Sequence, residues 1–148
     1  MAEKSNAPQS SIEQINEYFS IEKKHDGRIV IFTVTSIKRA VIDGWAAKMC
    51  EIMLAWDEQS IYLSLHDYSG ADSFVTTPHL RRRSKENAAL RPELNTRTAI
   101  VIPESMMAHV TRLFVQALPK TRHSERIRRI FFNRADALAW LEEALSEK

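Results

Sequence analysis

Apolar residues in this chain gather in short dense runs, and between the runs they recur at helical spacing. Arg28-Ile29-Val30-Ile31-Phe32-Thr33-Val34 and Ile61-Tyr62-Leu63-Ser64-Leu65 have the length and β-branched or aromatic content of strands. An earlier strand is expected around Tyr18–Glu22, followed by Lys23-Lys24-His25-Asp26-Gly27, in which Asp26-Gly27 is a hairpin turn. Ala99-Ile100-Val101-Ile102 is wholly apolar, as a strand covered on both faces should be, and belongs in the interior of a sheet. Between these runs, Trp45, Met49, Ile52, Met53 and Trp56 define one helix face behind Asp43 as its cap. Thr77-Pro78 begins a second helix, with the cap at Thr77 and proline at the first helical position, and it runs to about Leu90 before Pro92.

Two further helices complete the pattern. Pro103-Glu104-Ser105 opens one whose stripe of Met106, Val110, Leu113, Phe114 and Ala117 ends near Pro119. The last apolar run stops at Asn133, an N-cap, with Asp136 placed to meet the free amides of the first turn. That closing helix carries Trp140 and Leu141, both expected to be buried. The order is β-β-α-β-α-β-α-β-α, which predicts an α/β fold with a mixed, mostly parallel sheet and helices packed against it. The only antiparallel pairing is expected at the Asp26-Gly27 hairpin.

The chain has 148 residues, enough for one domain with its own core, and 44% apolar with 27% charged residues marks a globular composition. Residues 1–15 read as a flexible polar tail and 16–148 as a single domain. Cys50 is the only cysteine, so no internal disulfide can form. No charged-then-apolar leader and no apolar stretch long enough to cross a bilayer are visible, and a cytoplasmic location is expected. The net charge of +2 hides a segregation: residues 1–78 carry −4, 79–134 carry +9 and 135–148 carry −3. A basic middle between acidic flanks can steer an anionic partner or set one protomer against another.

By element order from Tyr18 to Leu145, and most sharply at Thr98–Pro103 and Phe131–Leu141, the chain resembles the SpoIIAA-like branch of the STAS superfamily, the fold of anti-sigma-factor antagonists. The resemblance implies a STAS-like domain serving as a small regulatory or interaction module. It also implies a serine after an aspartate in the loop that follows the third strand. Here that loop reads Leu65-His66-Asp67-Tyr68-Ser69-Gly70-Ala71-Asp72-Ser73-Phe74, without the usual Asp-Ser-Ser-Gly run. Asp67, Ser69, Asp72 and Ser73 are therefore the candidate phosphorylation or ligand loop. Turn formation alone would also explain these residue types.

Arg81, Arg82 and Arg83, extended by Arg91, Arg122 and Arg126, form the candidate surface for an anionic partner; the competing reading is an ordinary solvated helix. The three consecutive arginines fan around the helix and cannot share one face. No aromatic residue interleaves with them and no helix-turn-helix or zinc-finger spacing occurs, which argues against nucleic acid. His66, Asp67 and His79 lack metal-ligand spacing, and His66 is expected to bond within its loop. Gly27, Gly44 and Gly70 are too far apart for a phosphate loop, so no cofactor is expected. Cys50 reads as a helical filler and the Asp57-Glu58 pair as solvated. No catalytic set is visible.

Two functions compete on this basis. One is a non-enzymatic regulatory module acting through a protein partner or as a homodimer. The other is a small anionic-ligand-binding or hydrolytic protein, with a pocket near Asp67–Ser73 and the helix starting at Pro103, where free helix amides could hold an anion.

Overall fold

The computed structural model describes residues 11–71, 77–105 and 126–146. Among these residues six strands form one sheet in the order β1-β2-β3-β4-β5-β6: Ser11–Asn16, Phe19–Lys24, Ile29–Val34, Tyr62–Asp67, Thr96–Val101 and Arg126–Phe131. The strands β3 to β6 run parallel, while β1–β2 and β2–β3 pair antiparallel. The described helices are α1 (Arg39–Ala55), α2 (Pro78–Ala88) and α3 (Arg134–Ser146). The fold is α/β with a mixed, mostly parallel sheet.

Strands that follow one another across a sheet, joined by crossovers of a single hand, keep their connecting helices on one face. In keeping with this, α1 and α2 pack against each other, and α3, which follows the last strand, packs on β4, β5 and β6. Two cores result. Phe19, Ile21, Val30, Phe32, Ile42, Trp45 and Ile130 fill the α1 side, and Ile29, Ile31, Leu63, Leu65, Ala99, Val101 and Leu141 fill the α3 side. The alternation is the strand period of two: Val30 and Phe32 face one way, Ile29 and Ile31 the other. Strand β5 lies between β4 and β6, where its apolar run belongs.

Several elements differ from the sequence expectation. Residues 11–15, placed in the tail, belong to β1, so the hairpin is not the only antiparallel pairing. The β2–β3 turn places three successive residues in the left-handed region, His25 (φ 55°), Asp26 (φ 57°) and Gly27 (φ 84°), with Arg28 N donating to His25 O at 3.1 Å. Helix α1 starts before Asp43, which sits inside it; its N-cap Lys38 makes no side-chain cap bond. Helix α2 does begin on Thr77, whose Oγ1 accepts from Leu80 N at 3.1 Å, but ends at Ala88. Pro103–Ser105 are not helical, and the stripe from Met106 to Ala117 lies outside the described residues.

The close of the chain follows its grammar. Asp136 N donates to Asn133 Oδ1 and Asn133 Nδ2 donates to Asp136 Oδ2, both at 2.8 Å, a reciprocal cap. Leu141 is fully buried. Trp140 is only half-buried, because it lies over Phe131 (centroids 5.6 Å apart) beneath the Arg97 guanidinium rather than inside the core. Among the described residues, no helix is long and apolar enough to cross a membrane.

Candidate functional site

At the carboxyl end of β4, Asp67 is buried although it is an acid (5% exposed), and Ser69 just beyond it is exposed. The Ser69 hydroxyl donates to Asp67 Oδ1 at 2.6 Å and the Ser69 amide donates to the same oxygen at 2.9 Å. Arg134, the first residue of α3, donates to the other carboxylate oxygen, Oδ2, at 3.4 Å and to Glu22 Oε1 on β2 at 3.3 Å. One carboxylate thus holds a solvent-facing hydroxyl with one oxygen and a cation with the other. Arg134 and Glu22 were not singled out from the sequence. Their partners are distant along the chain, and only the closing of α3 onto the sheet brings them together. Asp72 and Ser73 lie outside the described residues, so the candidate loop is defined here at Asp67 and Ser69.

The candidate arginines divide by task. Arg81 and Arg82 on α2 are exposed, and Arg82 reaches His79 Nδ1 at 3.0 Å. Arg83 meets Glu86 at 3.1 Å and Asp43 of α1 at 3.5 Å, while His79 Nε2 lies 2.6 Å from the same Asp43 oxygen. Arg91 turns inward, with one Nη donating to the carbonyls of Met53 (3.0 Å), Leu54 (3.4 Å) and Trp56 (3.1 Å) at the end of α1. Its Nε also pairs with Glu93, which holds that carboxyl below the usual range. Arg126 donates to Ala88 O at 2.7 Å and to Arg91 O, closing the end of α2; burial pushes its pKa down. Arg122 lies outside the described residues.

Arg91 and Arg126 therefore serve carbonyls at and just beyond the ends of α1 and α2. Replacing Arg91 by alanine should cost about 1.5–3 kcal/mol, the scale of a hydrogen bond to a charged group. Urea denaturation measures this, and a loss below about 0.5 kcal/mol, as at ordinary surface sites, would mean water serves those carbonyls equally well.

His66 does not bond within a loop. It is the fifth residue of β4, 3% exposed, stacked on Phe32 with ring centroids 4.8 Å apart and planes 1° from parallel. Trp45 Nε1 donates to its Nδ1 at 3.0 Å, and its Nε2 lies 3.2 Å from Ser64 Oγ. Burial, reinforced by the charge of Arg128, pushes its pKa down to about 3, so the ring is neutral at ordinary pH. Burial also raises the phenols of Tyr62 and Tyr68, on the same face of the strand. Alternation along Tyr62, Ser64, His66 and Tyr68 was the available signal for this polar row.

Cys50 is a partly buried free thiol on α1. Asp57 caps the turn after that helix, accepting from Gln59 N at 3.0 Å. Among the described residues, no group of three or more His, Cys, Asp or Glu side chains could hold a metal ion. Compared with known protein families, characterised proteins and solved structures, the chain matches none.

Proposed function

We propose that this chain is a non-enzymatic regulatory module of STAS-like fold, acting through a protein partner or a second copy of itself, with Ser69 as its control point. The observation that carries the reading is the exposed Ser69 hydroxyl bound to buried Asp67 at 2.6 Å, with Arg134 on the opposite carboxylate oxygen. Phosphorylation there would remove the O–H donor and set a charge of about −2 beside a carboxylate. The phosphate would compete with Asp67 and Glu22 for Arg134, loosening the tie between β2 and the start of α3. Arg81 and Arg82 provide the positive charge on the exposed face of α2, suited to an acidic partner surface.

The test is a comparison of Ser69→Ala with Ser69→Glu. The reading expects phosphate on Ser69, found by mass spectrometry of protein from its own cells. It also expects the glutamate variant alone to change assembly state or partner binding by sedimentation. Absence of phosphate in every growth state, with the two variants behaving alike, would overturn it.

A further inference from the structure

On the α1 side of the sheet, Ser64, Thr98 and Arg128 stand side by side in register on β4, β5 and β6. The hydrogen bonds that lead into this row have a fixed polarity. An indole N–H can only donate, so His66 Nδ1 accepts from Trp45 and the proton of the neutral ring is on Nε2. Nε2 therefore donates to Ser64 Oγ, and Ser64 donates its own hydroxyl to Thr98 Oγ1 at a long 3.5 Å. Thr98 is left with an O–H that no described residue accepts.

Beside Thr98, Arg128 is partly buried, and its guanidinium meets no carboxylate among the described residues. Burial pushes its pKa down. One step along β4 the buried phenol of Tyr62 lies beside the Ser64 hydroxyl, with no other hydrogen-bond partner among the described residues. Among the described residues, donors and positive charge thus collect here with no carboxylate facing them.

We propose that the Ser64–Thr98–Arg128 row is a binding site for the carboxylate or phosphate group of a small organic anion. Only an acceptor meets both the Thr98 hydroxyl and the Arg128 guanidinium; a cation or a further donor would leave both unmet. One row nearer the carboxyl ends, Ile100 of β5 is only partly buried and gives the ligand body an apolar neighbour. Thr98 and Arg128 both keep part of their surface accessible, so an anion can reach them. The site does not involve Ser69, which lies in the loop beyond β4, and it stands or falls independently of the regulatory reading.

The full-length protein should be titrated with sodium phosphate and with sodium hexanoate, against sodium chloride at equal ionic strength. At least one of the two should give a saturable rise in melting temperature and shift the Trp45 indole N–H resonance, which reports on the chain of hydrogen bonds; which one does separates a phosphate from a carboxylate ligand. Arg128→Met should weaken that binding about tenfold or more. Without anion it should melt no lower than the parent, because the partly buried cation removed meets no carboxylate among the described residues. Thr98→Val, of equal size, should weaken binding several-fold and serves alone if the methionine variant does not fold. A response no greater than chloride's for both probes, or unchanged affinity in the variants, would overturn the proposal.

Discussion

Trp45→Ala is expected to lower the unfolding free energy by about 3–5 kcal/mol, the largest effect of any single truncation on the α1 side of the sheet. The indole is 3% exposed and makes edge contacts with His66 (centroids 5.5 Å) and Tyr68 (6.4 Å) while donating to His66 Nδ1. Two losses are combined, a large cavity and an orphaned acceptor in a dry environment. Trp45→Phe separates them, because it keeps most of the ring volume and removes only the donor. Its cost should be about 1–3 kcal/mol, the desolvation penalty of an unmet polar group. Urea denaturation of the two variants gives both numbers. Equal losses would show that packing is irrelevant at this position, and a negligible loss in the phenylalanine variant would show that water reaches Nδ1.

The same residues explain what could be read from the sequence. Helix spacing placed Trp45, Met49 and Met53 on one face because burial of that face is what makes the helix, and the reciprocal cap at Asn133 and Asp136 is local chemistry that needs no tertiary context. The strand at Ala99–Ile102 was legible for a similar reason: an apolar run without alternation has two buried faces. Strand β1 was not, since Ser-Ile-Glu-Gln-Ile-Asn has no period of two and is held by pairing with β2 and by a Glu13–Lys48 contact of 3.7 Å. The start of α1 escaped because Lys38 makes no side-chain cap bond. His66 and Asp67 looked like loop residues because they are polar. They extend β4 because Phe32 and Trp45 hold the imidazole and Arg134 holds the carboxylate. Arg134 joins residues on β2 and β4 that spacing could not connect.

The second large effect is on pH dependence. In the folded protein His66 titrates at about 3, below the ordinary value of 6.5 it regains when unfolded. Above pH 6.5 the ring is neutral in both states and its contribution is complete. As pH falls below 6.5 the unfolded chain takes up a proton that the folded chain refuses, so stability declines by about 1.4 kcal/mol per pH unit. The decline ends near pH 3, where the folded ring also protonates, after a loss on the order of 4–5 kcal/mol. That approaches the whole stability of an ordinary domain, roughly 5–15 kcal/mol. Carboxylates titrate in the lower part of the same window, so the measurement must isolate the imidazole. His66→Gln does this: an amide oxygen can still accept from Trp45, and the side chain carries no charge at any pH. Unfolding free energies of the two proteins between pH 4 and 7.5 should diverge from parallel, with the parent steeper below about 6.5. Parallel curves would mean that the imidazole protonates in place, and that neither the Phe32 stack nor the Arg128 charge excludes the proton.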